Sequence, residues 1–151
     1  MNNDTYDPRK TLTHLLNSQS FGVLSTEGDT APYANLVAFA VSKDLEHMIF
    51  MTKRDTHKFA NLQNHPIASM LVDSRTNSAA DFSKAIAVTV MGSTRELEGV
   101  EREDMSRILA VKHPFLENYL TLPTTAVLSL DVSLYRLVEE FQKVTDFEIR
   151  A

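Results

Sequence analysis

The sequence predicts one mainly β (α+β) domain whose antiparallel strands form a barrel-like sheet with short helices around it. Six or seven segments are short, apolar and alternating, and turn residues bound them, which is the usual pattern of strands. Between them lie three or four short stretches with apolar residues three and four positions apart, as in helices. The 151 residues are enough for a single domain, 1–151, with its own core.

The chain opens with a predicted helix. Asp7 is a suitable N-cap residue, and Pro8 suits the first helical position. Three leucines at helical spacing, Leu12, Leu15 and Leu16, predict its buried face.

The strands follow from alternation and from the turns between them. We predict strands at residues 21–27, 32–42, 48–52, 67–74, 84–97 and 124–141, with 142–150 as a further edge strand. The first three pair as neighbours. Residues 32–42 and 84–92 are apolar on both faces, so we expect both faces to be covered. Gly92 inside a strand predicts a bulge or a close backbone approach.

Short helices are predicted at residues 56–64 and 101–112, with a further helical turn or two at 115–120. Asp55 or Thr56 can cap the first of these, and Pro66 ends it. Residues 75–83 are predicted to be a polar loop.

Composition excludes several classes of protein. Without cysteine, the chain has no disulfide, thiol catalyst or iron–sulfur cluster. Its four glycines form neither a dinucleotide-binding nor a P-loop motif. The formal net charge of -5 argues against nucleic-acid binding. No apolar run is long enough for a membrane helix and no secretory pattern opens the chain, so we expect a cytoplasmic protein without a membrane partner.

The segment from Thr52 to Lys58 is the most informative. A strand ends there, a helix begins, and Arg54, His57 and Lys58 lie around the helix start. A helix N-terminus offers free N–H groups and partial positive charge, so cations in the first turn are unfavourable unless an anion compensates for them. The pattern therefore predicts a phosphate site, although a solvated charged surface is the ordinary alternative. The histidines His14, His47 and His65 are isolated, so no metal site is expected.

Four segments in order resemble the pyridoxamine-5′-phosphate-oxidase-like FMN-binding split barrels, and especially their small uncharacterised FMN proteins and haem-utilisation branch. The segments are FGVLSTEGDTAPYANLV, MIFMT, THKFANLQNHPIASMLV and VTVMGSTREL. The resemblance implies an antiparallel Greek-key split barrel of about six strands. It also implies a homodimer that holds FMN near the interface.

The resemblance implies the cofactor-binding residues one by one. Asn35, Leu36 and Val37 would lie along the flavin ring, and Thr52 near the ribityl chain or phosphate. Thr56, His57 and Lys58 would form the phosphate site, with Lys58 as its cation. Ser74, Arg75 and Asn77 would complete the site, often toward the neighbouring subunit, with Arg75 as a second cation.

The chain also departs from the pattern of the true pyridoxamine-phosphate oxidases. Asn35 stands where they carry arginine, Ala87 where they carry glutamine, and their C-terminal tryptophan and arginine-rich segment has no counterpart. Vitamin B6 oxidation is therefore not expected. The haem-utilisation branch uses a histidine near its C-terminus, whereas the last histidine here is His113.

The expected function is that of an FMN-dependent oxidoreductase of unidentified substrate, with a small molecule or NAD(P)H as partner and no catalytic side chain. The flavin carries the electron chemistry in such proteins, which agrees with the lack of a candidate acid or base. One alternative is a non-enzymatic FMN carrier or redox-sensing module. Another is a haem- or deazaflavin-binding protein of the same fold.

Overall fold

Seven antiparallel strands form one sheet in the computed structural model, which describes residues 5–149. The strands are β1 (Phe21–Glu27), β2 (Pro32–Val41), β3 (His47–Lys53), β4 (Ile67–Asp73), β5 (Ile86–Glu96), β6 (Thr125–Glu139) and β7 (Lys143–Glu148). Their order is β3-β2-β1-β4-β5-β6-β7, and a further pairing of β3 with β6 closes six strands into a barrel. The order β4-β1-β2-β3 is a Greek key. The predicted fold class is confirmed.

Within residues 5–149, five α-helices lie around the barrel: α1 (Pro8–Ser18), α2 (His57–Asn64), α3 (Asp81–Lys84), α4 (Gly99–Lys112) and α5 (Glu117–Leu120). A 3₁₀ turn, Pro114–Leu116, precedes α5. The predicted start of α1 is confirmed, since the Asp7 carboxylate accepts a hydrogen bond from the Arg9 N–H at 3.0 Å. No described helix is long and apolar enough to cross a membrane.

Two predictions of local structure need correction. Residues 75–83 are not entirely a loop, because α3 begins at Asp81, where the sequence has too few apolar positions to reveal a four-residue helix. The helix predicted at 101–112 begins two residues earlier, at Gly99. The predicted edge strand is confirmed as β7, although its last predicted residue, Arg150, lies outside the described residues.

The main core fills the barrel, and α1 closes one side of it. Leu12, Leu15 and Leu16 of α1 are buried against inward-facing residues such as Phe39 and Met70. A second cluster lies outside the barrel wall, where α4 and α5 pack on β2, β3 and β6; it comprises Ala40, Ile49, Leu97, Leu109, Leu120 and Val127. These helices cover only part of the wall.

Gly92 lies at a bulge in β5, as predicted. The register of β5 against β6 shifts between Met91 and Gly92. A Cβ atom on Gly92 would lie 2.0 Å from the backbone oxygen of Asp131. Only glycine allows so close an approach, so this position fixes how β5 meets β6.

The barrel is split between β2 and β3. These strands pair only through Phe39–Val41 of β2, and the preceding residues 32–38 pair with β1 alone. Residues 51–53 of β3 pair with β6 alone. Half of the backbone groups of β2 in this stretch therefore face a gap instead of a neighbouring strand.

The outer face of β1, β2 and β4 is apolar and open. Phe21, Leu36 and Ile67 are 55%, 64% and 68% exposed, and Leu71 lies between them. The prediction that both faces of residues 32–42 are covered is therefore wrong for the single chain. The reason is that α4 covers β2 only near Ala40, at its C-terminal end.

Candidate functional site

The helix start predicted to hold a phosphate is built as a capped turn beside the gap. Thr56 is the N-cap residue of α2, and its hydroxyl oxygen accepts a hydrogen bond from the Phe59 N–H at 3.3 Å. The hydroxyl itself donates to the Lys53 carbonyl at 2.9 Å. Thr52 is buried beneath it, with the two threonine Oγ1 atoms 2.8 Å apart. Thr52 therefore positions Thr56 from below.

Two backbone donors remain free at this turn. No described residue accepts a hydrogen bond from the N–H groups of His57 or Lys58, while the next two donors, the Phe59 and Ala60 N–H groups, bond to the Thr56 hydroxyl and carbonyl oxygens. The first turn of α2 contains no acidic residue. The helix therefore presents its positive end without a compensating carboxylate. We call Thr52, Thr56, His57 and Lys58 the phosphate cradle.

The Lys58 ammonium is the cation of this cradle. It is half-buried and forms no ion pair with any described residue. Burial lowers the pKa of Lys58 below the ordinary value of 10.5. A cation that is partly removed from water and has no anionic partner is costly, unless a bound anion compensates for it.

Arg54 does not belong to the cradle, although the sequence placed it beside the other cations. Its guanidinium forms an ion pair with Glu96, donates to the Pro123 carbonyl at 3.1 Å and lies 5.8 Å from the ring centre of Phe59. These contacts commit Arg54 to holding α2 against the barrel. Sequence alone did not show this because Glu96 lies far along the chain.

The predicted ring neighbours on β2 do not share one face. Asn35 and Val37 point into the barrel, as does Leu24, which lies opposite Asn35. Leu36 points outward and is exposed. The Oδ1 atom of Asn35 is buried and has no partner among the described residues. An unpaired buried acceptor is rare and calls for a donor.

Tyr33 connects this strand to the cradle, and sequence reasoning missed it. Its ring centre lies 5.9 Å from that of His57. Tyr33 and Asn35 are two residues apart on the same face of β2, which places Asn35 roughly 7 Å further along the strand. The alternation of Tyr33, Asn35 and Val37 was the available signal, because it puts all three on one face.

Each residue of the second predicted group, on the loop after β4, already makes at least one contact with a neighbouring residue. The Ser74 hydroxyl accepts from the Ile86 N–H at 2.9 Å. Arg75 forms an ion pair with Asp73, with Nε and Oδ1 3.0 Å apart. Asn77 has a φ of +61°, and its N–H donates to the Asp81 carboxylate at 2.8 Å. These residues form a self-contained loop.

The cradle and this loop lie at opposite ends of β4. The strand follows α2 and ends at Asp73, so its seven residues separate the two groups. A strand of that length spans roughly 20 Å. One chain therefore brings Asn35, Thr52, Thr56, His57 and Lys58 to one side of the barrel but does not bring Ser74, Arg75 or Asn77 to them.

The cradle fits the phosphate of a flavin nucleotide. Free backbone donors, an unpaired ammonium and a capped helix start suit a phosphate dianion. The orphan oxygen of Asn35 and the free edge of β2 suit a ligand that has both donors and acceptors, as ribityl hydroxyls and a flavin ring have. Ala87 stands where the true pyridoxamine-phosphate oxidases carry glutamine. Its methyl side chain can make no hydrogen bond to a ligand.

Comparisons with known proteins agree with this architecture. The sequence profile of the pyridoxamine 5′-phosphate oxidase family matches residues 9–139. A search of the curated proteins finds no match. The solved heme binding protein from Mycobacterium smegmatis superposes with a TM-score of 0.83 at 17% identity, over 95% of this chain and 58% of that one. This chain thus spans less than two thirds of that protein.

Two further solved structures are similar over most of their own length. A FAD-binding protein from Mesorhizobium loti superposes with a TM-score of 0.67 at 17% identity, over 85% of this chain and 90% of that one. A putative pyridoxamine 5′-phosphate oxidase from Listeria innocua does so with a TM-score of 0.68 at 13% identity, over 87% and 98%. At these identities the likeness shows the fold.

Proposed function

Because this chain belongs to the pyridoxamine 5′-phosphate oxidase family, we propose that it binds FMN with the phosphate in the cradle at the start of α2. The observation that carries the proposal is Lys58, a half-buried ammonium without an ion pair beside two free backbone donors. A phosphate satisfies all three groups at once. Thr56 holds the turn in shape, and His57 lies at its exposed edge.

The flavin ring would lie along β2, at the gap between β2 and β3. Residues 32–38 of β2 have no strand partner on that side, so their backbone groups are available. Asn35 adds a buried side-chain acceptor that lacks a donor. Flavin recognition by Asn35, Leu36 and Val37 would then rest chiefly on backbone groups, with Val37 supplying packing.

We propose that two copies share the site as a homodimer. The exposed apolar residues Phe21, Leu36, Ile67 and Leu71 lie on the same outer face of β1, β2 and β4. Exposed apolar patches of this kind mark interaction surfaces. The loop with Ser74, Arg75 and Asn77 lies too far along β4 to reach its own cradle, so it would approach the partner's site and contribute to it through Arg75, while the Ser74 hydroxyl stays bonded to the Ile86 N–H.

The proposed activity is that of a cytoplasmic FMN-dependent oxidoreductase. When bound, the flavin supplies the exchange of electrons, and the protein supplies orientation and hydrogen bonds. The residues around the cradle bind and position a ligand, and none of them is arranged as an acid or base. A carrier or redox-sensing role requires the same site, so turnover separates the two.

A titration with three ligands tests the proposal. Purified protein, freed of bound ligand, is titrated with FMN, with riboflavin and with hemin, while absorbance and flavin fluorescence are followed. We expect FMN to bind at least roughly thirtyfold more tightly than riboflavin, because the phosphate contributes a charge-assisted contact of about 2 kcal/mol. Equal affinities would contradict the cradle, and hemin binding without FMN binding would identify a haem protein. Bleaching of bound FMN by NAD(P)H would then support an enzyme over a carrier.

A further inference from the structure

Three elements end around a groove on the outside of the barrel. The groove lies between the C-terminal ends of α1, β2 and α4, and its volume is about 600 Å³. Because α1 closes one side of the barrel and α4 packs on the wall at Ala40, the groove is the space between the two helices. A volume of this size is within the range for small-molecule sites.

The walls of this groove are aliphatic. Ala40 and Val41 of β2 line one side, and Ile108 and Val111 of α4 line the other. Val111 lies one helical turn after Ile108 and is 82% exposed. A single exposed valine is ordinary, but this one extends an apolar surface that begins at the buried Ala40. The groove therefore suits a ligand with an apolar body.

The charged residues that line the groove are all cations. They are Lys43, Arg107 and Lys112, and no described acidic residue lines it. Arg107 is paired with Asp104, with Nη1 and Oδ1 2.8 Å apart. Lys43 and Lys112 form no ion pair with any described residue. A chain with a formal net charge of -5 thus carries a local excess of positive charge here, which an anionic ligand complements.

The Lys112 ammonium is held in place at this groove. Its Nζ atom donates to the Leu16 carbonyl at 2.9 Å and lies 4.0 Å from the ring centre of Phe39. The side chain is half-buried, and burial lowers the pKa of Lys112 to about 8. An ammonium has three N–H donors, and one described oxygen accepts from it. Its free donors beside aliphatic walls suit the charged end of an otherwise apolar ligand.

We propose that this groove binds an aliphatic carboxylate, with the chain along the walls of β2 and α4 and the carboxylate at Lys43 and Lys112. No described aromatic residue lines the groove, so it favours an aliphatic chain over a planar ring. Both α1 and α4 end here and present the negative ends of their dipoles, which favours a single negative charge over a phosphate dianion.

The site is separate from the phosphate cradle and does not depend on FMN binding. Tyr33, which contacts His57 of the cradle, lies eight residues before Val41 on β2. Eight residues of strand span roughly 26 Å. Occupation of the groove and of the cradle can therefore be measured independently.

An NMR titration with octanoate, 1-octanol and octyltrimethylammonium tests the proposal, because these probes share one chain and differ in charge. Backbone amide shifts of the labelled protein give the affinity and the location, with and without added FMN. We expect saturable binding of octanoate with shifts centred on residues 40–43 and 107–112. Binding of 1-octanol should be roughly tenfold weaker, since it lacks the charge-assisted contact, and the cation should not bind measurably. FMN should not change the Kd for octanoate.

Two variants separate the charge from the apolar wall. Lys43→Glu should weaken octanoate binding roughly fivefold and leave 1-octanol binding unchanged, with Lys84→Glu, an exposed lysine on α3, as its control. Val111→Ser should weaken the binding of both probes roughly threefold, because it removes apolar contact. Its matched control is Val100→Ser, an exposed valine at the other end of α4.

The proposal is overturned if wild type does not bind octanoate, if 1-octanol or the cation binds as tightly, or if Lys84→Glu loses as much affinity as Lys43→Glu. It is also overturned if Val111→Ser changes only the oligomeric mass, since a second copy then covers the groove. Lys58→Ala should bind octanoate as wild type does. An equal loss in Lys58→Ala would place the carboxylate in the cradle and contradict a separate site.

Discussion

The two ends of β4 carry polar groups of similar kinds in opposite states. Before β4, at the cradle, two backbone N–H groups and the Lys58 ammonium have no acceptor among the described residues. After β4, Ser74, Arg75 and Asn77 each have a partner, in Ile86, Asp73 and Asp81 respectively. Buried or half-buried polar groups normally find partners, so the end that lacks them is the one where we propose that the ligand binds. Changes at the cradle should therefore alter affinity, and changes at the loop should alter stability.

The largest effect is expected at Lys58. Lys58→Ala should weaken FMN binding roughly thirtyfold or more, since about 2 kcal/mol is typical of a hydrogen bond to a charged group. The Tm of the ligand-free protein should not fall, because the ammonium has no partner there to lose. Lys53→Ala, an exposed lysine on the preceding strand end, is the control and should bind FMN as wild type. An equal loss of FMN affinity in both variants would contradict a specific role of Lys58, since it would mean that any nearby positive charge has the same effect.

Affinity for FMN should also depend on pH in a way that reports Lys58. Burial lowers its pKa, so its charge is lost at a lower pH than that of an ordinary lysine. Binding should weaken as pH rises from neutral toward 10.5, the ordinary pKa of lysine, a range in which the phosphate stays dianionic. Lys58→Arg should remove this dependence and keep tight binding, whereas Lys58→Ala should be weak throughout. A wild-type profile that is flat over the range would contradict the role of Lys58.

At the other end, Ser74→Ala should lower the free energy of unfolding by about 1 kcal/mol, the value of one hydrogen bond, because the Ile86 N–H loses its acceptor. Urea denaturation measures this, and Ser83→Ala on the exposed side of α3 is the control. FMN affinity should be unchanged in both. A Ser74→Ala variant that is as stable as wild type but binds FMN more weakly would show that the loop after β4 serves binding, contrary to this prediction.

Arg75 should give the smallest effect. Its guanidinium is already paired with Asp73, so a partner's phosphate gains little from it. Arg75→Ala should weaken FMN binding by roughly threefold or less, the range of an exposed ion pair. A mixed-dimer titration, with Lys58→Ala in one copy and Arg75→Ala in the other, measures whether this contribution comes from the partner. If Arg75→Ala lost as much FMN affinity as Lys58→Ala, the proposed difference between the two ends of β4 would be wrong.

Local patterns predicted the fold because each element carries its own signal. The cap at Asp7, the stop at Pro66 and the glycine at the β5 bulge all act within a few residues of the structure they determine. The cap of α2 was also predictable, as Asp55 or Thr56, and the structure has Thr56. The phosphate site at Lys58 stays a prediction from the same local pattern.

The features that sequence did not reveal depend on residues far apart along the chain. The ion pair with Glu96 holds the Arg54 guanidinium away from the cradle. The Oδ1 atom of Asn35 has no hydrogen-bond partner because β2 and β3 separate beside it. Periodicity and caps carry no information about such pairings.

The closure of the barrel by β3 and β6 has a consequence for how the protein folds. His47 pairs with Asp131 and Lys53 with Thr125, so the strands that meet are separated by roughly 70 to 85 residues. Loop closure over such distances is slow, and the ribosome must release β6 before the barrel can close. Until then β3 has an open hydrogen-bonding edge, which makes the nascent chain vulnerable to aggregation.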